Sequence, residues 1–213
     1  GQIQNKGLGM DVDIFNERGK SIKNKKGELV CKNAFPTIPV KFWNDKNNKK
    51  FKDTYFKKFK KVWHHGDYAE IKDTDGFIIH GRSDTTLNPG GVRLGTSEIY
   101  SEVEKFKEIK ESLVVGQKWD NDIRIVLFVV LSKNYELDKN LFNRIRIQIK
   151  KNASPRHVPK KIIQILDVPK TKNGKIVELA VKNIIENNEI KNKEALANPE
   201  SLNQFKNLKE LQY

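Results

Sequence analysis

The chain has 213 residues, with 41 Lys and Arg against 27 Asp and Glu, and an apolar fraction of 37%. This length suits one large domain or two small ones, and the apolar content suffices for a modest core. The longest apolar run, Ile125 to Leu131, falls well short of the ~20 residues that cross a bilayer, so no membrane association is expected. A lone cysteine, Cys31, cannot form an internal disulfide, which favours a reducing, cytoplasmic setting.

The formal net charge of +14 raises the question of nucleic-acid binding. The basic residues are mostly lysines spread along the chain, which indicates a compositional bias rather than a binding patch. The densest stretch, Lys41 to Lys61, mixes lysines with aromatic residues, a pattern that also suits base stacking. We expect a solvated amphipathic face there and keep a basic nucleic-acid-binding module as the alternative.

The first part of the chain, to about residue 80, has the pattern of short strands and turns. Its alternating or β-branched runs predict four strands: Asp11 to Phe15, Gly27 to Cys31, Tyr68 to Ile71 and Gly76 to His80. The turn residues Asp73 to Gly76 join the last two strands as a hairpin. A helix is predicted near Asp53 to Phe59.

From Gly81 the pattern changes to alternating helices and strands. Thr96 is predicted to cap a helix on which Ile99, Val103 and Phe106 recur at helical spacing, with Glu98 in its first turn. Three further strands are predicted: Ser112 to Gly116, Ile123 to Leu131 and Ile162 to Leu166. The middle one is almost wholly apolar, as expected for a central strand buried on both faces.

The stretch from Asp138 to Lys151 is ambiguous. Its end alternates like a strand, yet Leu141, Ile145 and Ile149 suit a helix capped by Asp138, and we predict the helix. A polar loop at Lys170 to Lys175 precedes a predicted helix at Ile176 to Ile185, and the last twenty or so residues are polar and weakly helical. The second part therefore has the pattern of a small α+β domain.

Three segments combine glycines with charged residues in patterns that point to chemistry: Trp63-His64-His65-Gly66-Asp67, Gly81 to Arg93, and Pro169-Lys170-Thr171-Lys172-Asn173-Gly174-Lys175. Each has an ordinary explanation when taken singly. Gly-Asp pairs form turns, Asp84 and Asn88 are turn residues, and a lysine in a glycine-containing loop is usually solvated.

Together and in this order, the three segments resemble the adenylate-forming enzymes, which include the acyl-CoA synthetases. The resemblance covers essentially the whole chain and extends to Val92 to Tyr100, to Ser154 to Pro159 and to Ile176 to Val181. Acetate-activating members typically have a second Asp at the position of Thr85 and an Arg-containing run after the catalytic lysine. This chain departs at both places, and the departures favour acetoacetate as the acid.

The resemblance implies a reaction in two halves, with ATP and CoA as substrates and Mg²⁺ supporting the phosphates. A carboxylate first attacks the α-phosphate of ATP to give an acyl-adenylate and pyrophosphate, and the CoA thiol then displaces AMP. Lys175 matches the catalytic lysine, whose ammonium reaches the carboxylate and α-phosphate oxygens in the first half. Gly174 lets the loop turn without steric cost.

Three residues match nucleotide contacts of the family. The resemblance implies that Asp67 accepts hydrogen bonds from the ribose hydroxyls, that Arg82 also contacts the ribose, and that Arg93 steadies the loop and the phosphate end. The ordinary alternative for both arginines is a surface salt bridge. His64 and His65 suggest a metal site only weakly, because adjacent histidines seldom face one ion, so we expect no resident metal.

Asp84 matches the hinge about which the small domain rotates between the two half-reactions. One pose brings in Lys175, and the other brings the Gly90-Gly91 face to the pantetheine tunnel, where glycines let a thiol arm pass close to the backbone. The candidates for the CoA phosphates are basic residues of the second part: Arg144, Arg146, Lys150, Lys151 and Arg156.

The implied fold is α+β in two parts. Residues 1–83 are expected to be a β-rich remnant at the end of the large AMP-binding domain, and residues 84–213 to be the mobile C-terminal lid domain. The family's Gly/Ser/Thr-rich phosphate loop, adenine motif and acyl pocket are expected upstream of Gly1, so we expect this part alone to be inactive. The sequence leaves the oligomeric state open.

Overall fold

The computed structural model describes residues 1–190 and 193–213. The chain divides into two compact units, Gly1–Asp84 and Thr85–Tyr213. Both units combine helices with strands, so the predicted α+β class is confirmed.

The first unit is built on a four-stranded antiparallel sheet in the order β1-β2-β3-β4. Its strands are β1 (Val12–Phe15), β2 (Gly27–Cys31), β3 (Trp63–Ile71) and β4 (Phe77–Arg82). All four predicted strands are present. The third begins earlier than predicted, which brings the Trp63-to-Asp67 motif into the sheet.

The helix of the first unit lies one turn earlier than predicted. Helix α1 spans Lys49–Tyr55 and ends where Phe56 adopts a φ of −126°. The carboxylate of Asp45 accepts hydrogen bonds from the backbone N–H groups of Lys50 and Phe51, both at 2.8 Å, and these satisfy donors that the first turn leaves unpaired. This upstream cap places the helix ahead of Asp53 to Phe59.

The aromatic residues of the Lys41 to Lys61 stretch pack against one another. Tyr55 stacks on Trp63 of β3 at 3.7 Å between ring centroids, and Phe51 meets both rings edge-on. Phe42 packs on Phe51, while Trp43 remains exposed. Most of the rings that suited base stacking therefore attach α1 to the sheet.

The second unit is a three-stranded sheet with helices on both faces. In chain order its elements are α2 (Ser97–Val103), β5 (Ile109–Trp119), β6 (Asp122–Leu131), α3 (Lys139–Asn152), β7 (Lys161–Gln164) and α4 (Glu178–Ile185). The strand order is β5-β6-β7, with β5 antiparallel and β7 parallel to β6.

Strand β6 is the centre of the second unit. Alternate residues feed two different cores: Val126 and Phe128 face the cluster that includes α4, and Ile125 and Leu127 face the cluster that includes α2 and α3. The prediction of a central strand buried on both faces is confirmed.

The two predicted helix caps have different outcomes. Asp138 caps α3 by accepting from the N–H of Leu141 at 2.7 Å, and Leu141, Ile145 and Ile149 are buried, so the predicted helix is confirmed. Thr96 occupies the residue before α2, but it has helical dihedrals and makes no side-chain cap bond. That capping prediction is wrong, because Thr96 is turned into the interior with 4% of its surface exposed.

After α4 the described chain forms short 3-10 turns at Lys193–Ala195, Pro199–Phe205 and Lys209–Leu211. Phe205 packs edge-on against Phe128 of β6 with 5.0 Å between ring centroids. The final segment therefore covers one face of the sheet. Within residues 1–190 and 193–213, no helix has both the length and the apolar character that a bilayer span requires.

Candidate functional site

In the first unit the predicted ribose-binding residues form one charged cluster at the β3–β4 pairing. Asp67 lies directly across from Arg82 in the strand register. One carboxylate oxygen of Asp67 accepts from Nη1 of Arg82 at 3.0 Å, and the other contacts Nδ1 of His65 at 2.7 Å. The half-exposed Arg82 is therefore a direct partner of the Asp67 carboxylate.

The electrostatics of this cluster favour an ionised Asp67. Burial alone would raise the pKa of its carboxyl. The hydrogen bond from His65 and the charge of Arg82 outweigh burial and hold the pKa below its ordinary value. Asp67 is thus a carboxylate, able to accept hydrogen bonds from vicinal hydroxyls.

Gly66 makes this arrangement possible. Its φ is +86°, and a Cβ built there would lie 2.8 Å from Nη2 of Arg82. A side chain at this position would meet both a conformational and a steric penalty. The glycine of the Gly-Asp pair therefore lets the arginine lie across the strand.

The two adjacent histidines have separate partners. Nε2 of His64 contacts the buried carboxylate of Glu28 at 2.8 Å, whereas His65 contacts Asp67. In the part of the chain that the structure describes, no three His, Cys, Asp or Glu side chains are grouped so as to hold a metal ion.

Asp84, the predicted hinge, is the last residue of the first unit and lies in the turn that follows β4. Its carboxylate is 3.6 Å from Nε of Arg82, and its side chain is half exposed. The preceding residue, Ser83, donates its N–H to the carbonyl of Gly66 at 2.9 Å and its hydroxyl to Glu28. The chain is thus anchored up to Ser83.

In the second unit, Gly90 and Gly91 form the tip of an exposed 3-10 turn, with φ values of +58° and +74°. A Cβ at either position would meet nothing within 4 Å, so the outer face of the turn is open. The N–H of Gly90 donates to both oxygens of Asp122, at 2.8 and 3.0 Å. Arg93, beyond the turn, donates from Nε to Oγ1 of Thr86 at 3.0 Å.

A cavity of about 680 Å³ lies beside this turn, and Gly90 is part of its wall. Its charged lining residues are four cations, Arg124, Arg146, Arg156 and Lys160, and two aspartates, Asp120 and Asp122. Arg124 is structurally engaged, because it is buried, stacks on a tryptophan ring and donates to backbone carbonyls near the chain end. The other three cations make no ion pair with any of the described residues, so they can receive an anion.

Only some of the predicted phosphate-binding residues line this cavity. Arg146 and Arg156 line it. Arg144 does not, since its guanidinium pairs with Glu108 at 2.7 Å. Lys150 and Lys151 lie in the last turn of α3 and are absent from the cavity wall. Lys160 was not among the candidates predicted from the sequence, although it directly follows the Ser154 to Pro159 segment.

Lys175 lies at the exposed tip of a narrow hairpin-like loop. The N–H of Thr171 donates to the carbonyl of Lys175 at 2.8 Å, and the N–H of Lys175 donates to Oγ1 of Thr171 at 3.1 Å. Gly174, with a φ of +77° and open space around it, permits the turn. Across residues 1–190 and 193–213, no carboxylate pairs with the ammonium of Lys175.

The other lysines of the loop provide a comparison. Lys170, at its base, pairs with Glu111 of β5. Lys172 is exposed near the tip and, like Lys175, has no ion pair with the described residues. The loop therefore holds one structural lysine at its base and two free ones near its tip.

The residues that follow Lys175 are held in place by a contact from helix α2. The phenol of Tyr100 on α2 donates to Glu178, the first residue of α4, and accepts from the N–H of Val114 at 3.0 Å. Burial, followed by the Glu178 charge, raises the pKa of Tyr100 well above its ordinary value. The neutral phenol therefore remains a donor to Glu178 throughout the physiological pH range.

Comparison with known proteins gives long matches. No family model matches the chain. It is 54% identical over 211 residues to the acetoacetyl-coenzyme A synthetase of Rhizobium meliloti (strain 1021), and 46% identical over 214 residues to the acetoacetyl-CoA synthetase of Gallus gallus. These matches cover 99% and 100% of the chain and 32% of each relative, so the chain spans about a third of the length of the curated relatives.

The structural comparison agrees with the sequence comparison. The structure matches acetoacetyl-CoA synthetase from Streptomyces lividans with a TM-score of 0.90 and 36% identity. The match covers 96% of this chain and 31% of that one.

Proposed function

Because the chain is homologous over its whole length to a third of the acetoacetyl-CoA synthetases, we propose that it is the C-terminal part of an AMP-forming acid–thiol ligase. The complete enzyme would join acetoacetate to CoA at the expense of ATP, giving acetoacetyl-CoA, AMP and pyrophosphate. The observation that carries the proposal in this chain is the ammonium of Lys175, exposed and unpaired among the described residues at the tip of a braced loop.

In the first half-reaction, a carboxylate oxygen of acetoacetate attacks the α-phosphorus of ATP and the bond to the pyrophosphate oxygen breaks. Negative charge is concentrated where the two anions meet. Lys175 would place its ammonium on the carboxylate and α-phosphate oxygens, and an unpaired cation is free to do so. Mg²⁺, which supports the phosphates in such reactions, would be held mainly by the phosphates and the rest of the enzyme.

The Asp67 cluster is proposed to hold the ribose of ATP and of the adenylate. Asp67 is ionised and keeps one side accessible, with 18% of its side-chain surface exposed. A carboxylate can accept from both ribose hydroxyls. Arg82 would hold the carboxylate in register and contact the sugar, and Arg93 would steady the loop near the phosphate end.

In the second half-reaction, the CoA sulfur attacks the acyl carbon and AMP leaves with the bonding electrons. The open face of Gly90 and Gly91 suits the passage of the pantetheine arm. The unpaired Arg146, Arg156 and Lys160 beside Gly90 suit the CoA phosphates. We propose that rotation about Asp84 exchanges this surface for Lys175 between the two halves, with residues 1–83 belonging to the large domain and 84–213 to the mobile one.

We place the reaction in the cytoplasm, because Cys31 is a free, buried thiol that fits a reducing compartment. The acid is proposed to be acetoacetate because the relatives carry that name. Acetate remains the competing substrate and is distinguished by the same assay.

The test is a chimera in which this chain replaces the homologous third of the Rhizobium meliloti relative. We expect the chimera to release pyrophosphate with acetoacetate more efficiently than with acetate, and to form acetoacetyl-CoA when CoA is added. The chain alone should do neither. A folded chimera that binds ATP but releases no pyrophosphate would contradict the proposal.

A further inference from the structure

The segment 195–204, called here the bracing segment, runs along residues 166–171, which form the base of the Lys175 loop, and reaches Lys172 at the start of the tip. Its backbone groups make two hydrogen bonds to the loop: the N–H of Ala197 donates to the carbonyl of Lys170 at 2.8 Å, and the N–H of Lys172 donates to the carbonyl of Ala195 at 3.2 Å. Thr171 forms an isolated bridge with Leu196. The loop base is thus paired like the edge of a small sheet.

Both the nitrogen and the oxygen of the Asn198 side-chain amide make hydrogen bonds to the loop base. Its Nδ2 donates to Oδ2 of Asp167 at 2.6 Å and to the carbonyl of Val168 at 2.8 Å, and its Oδ1 accepts from the N–H of Lys170 at 2.8 Å. The opposite amide orientation would set oxygen against two acceptors and nitrogen against a donor, so the network fixes the orientation.

The side-chain amide of Gln204 makes similar hydrogen bonds to the first residues of the loop base. Its Nε2 donates to the carbonyl of Asp167 at 2.6 Å, and its Oε1 accepts from the N–H of Leu166 at 2.8 Å. The two amides together engage the backbone from Leu166 to Lys170, while the tip of the loop from Lys172 to Lys175 stays exposed.

We propose that Asn198 and Gln204 are positioning residues for Lys175, which hold the loop base rigid so that the ammonium at the tip is presented in one place. This inference rests on the proposed function of Lys175. If the loop were loose, both its backbone and the lysine side chain would have to be ordered during each turnover. With the loop base held rigid, little more than the side-chain torsions of the lysine remains to be ordered. Misplacement of a charged group by about 1 Å costs up to ~10² in rate.

The first test follows backbone amide exchange in the unmodified chain and in Asn198→Ala and Gln204→Ala. Each variant removes the acceptor of one reporter amide, which is Lys170 for Asn198→Ala and Leu166 for Gln204→Ala. We expect exchange of that amide to accelerate by about fivefold or more, while amides of β6 keep their rates. Asn203→Ala, an exposed asparagine of the same segment, is the matched control and should change neither reporter.

The second test measures the two half-reactions in the chimera with the Rhizobium meliloti relative. Asn198→Ala should lower kcat of acetoacetyl-AMP formation by about tenfold, because Lys175 is misplaced, with little change in KM for ATP or acetoacetate. Thioester formation from supplied acetoacetyl-AMP does not use Lys175 and should stay within about twofold. General loss of structure would instead reduce both halves together.

The outcomes separate the two proposals. If Lys175→Ala leaves adenylation intact, the proposed function fails. If Lys175→Ala abolishes adenylation while Asn198→Ala and Gln204→Ala change neither the reporter amides nor adenylation, the bracing role alone fails. Should one variant not fold, the other still decides the question, and the exchange measurement does not depend on an active chimera.

Discussion

At the scale of single residues, the Asp67 carboxylate shows how neighbouring side chains keep a partly buried group ionised. Arg82 and His65 each occupy one of its oxygens, and their contacts offset the cost of partial burial. A carboxylate oxygen has room for more than one donor, so a ribose hydroxyl can be accepted in addition to these partners.

The lowered pKa of Asp67 predicts a specific pH dependence of stability. Because the folded-state pKa lies below the ordinary value of about 3.9, ionised Asp67 stabilises the fold above that pH, and the stabilisation is lost as the pH falls through the folded-state pKa. Urea unfolding of the unmodified chain and of Asp67→Asn should differ at pH 7, and the difference should shrink as the pH falls from about 5 towards 2. A difference that grows on acidification would contradict the assigned cause.

Sequence patterns predicted some of these residues and missed others. The motif positions of Lys175, Asp67 and Arg82 could be read because their neighbours along the chain carry the pattern. Asn198 and Gln204 could not, since their partners in the loop base lie 28 to 38 residues away and a polar tail gives no local signal. Lys160 was also not predicted, because only the folded unit brings it to the wall of the cavity that Gly90 lines.

At the scale of elements, the fold was most predictable where one strong period dominates. The apolar run of β6 and the spacing of Leu141, Ile145 and Ile149 on α3 both specify burial directly. Element ends were less predictable, because they depend on caps. Asp45 caps α1 upstream of its predicted start, whereas Thr96 faces the interior and makes no cap bond to α2.

Helix α3 buries one face in the core and places Arg146 on the cavity wall, so the proposed CoA site gives a prediction for this residue. Arg146 packs over Phe142 and lines the cavity next to Gly90, so Arg146→Ala in the chimera should raise KM for CoA by about tenfold through loss of a charged hydrogen bond. Acetoacetyl-AMP formation should be unchanged. Steady-state kinetics with varied CoA measure the effect.

The control for that experiment is Lys139→Ala, an exposed lysine at the start of the same helix and outside the cavity wall. It removes the same charge and should leave KM for CoA unaltered. If both variants raise KM for CoA equally, the effect of Arg146 comes from its net charge and not from a specific contact in the cavity.

At the scale of the whole molecule, the chain comprises two compact units that meet in sequence after Asp84. The residues just before the division are tied to the sheet by Ser83, which bonds to Gly66 and Glu28. Backbone freedom for a domain rotation would therefore begin at Asp84. A hinge needs only a few residues at the end of an element that can change φ and ψ.

Restricting φ at this position tests the hinge. Asp84→Pro fixes φ near −65° and should slow thioester formation in the chimera more than adenylation, since only the second half requires leaving the adenylation pose. Asp84→Ala keeps the backbone free and controls for loss of the carboxylate. If the proline variant performs both halves at the alanine variant's rates, Asp84 is not the pivot.

The most direct measurement of the central claim compares Lys175→Ala with Lys172→Ala in the chimera, with each half-reaction assayed separately. Lys172 carries the same charge, lies in the same loop and is exposed as well. We expect Lys175→Ala to lower pyrophosphate release by ~10²-fold or more and to spare thioester formation from supplied acetoacetyl-AMP, while Lys172→Ala changes neither. Equal losses in the two variants, or equal damage to both halves by Lys175→Ala, would contradict the role proposed for Lys175.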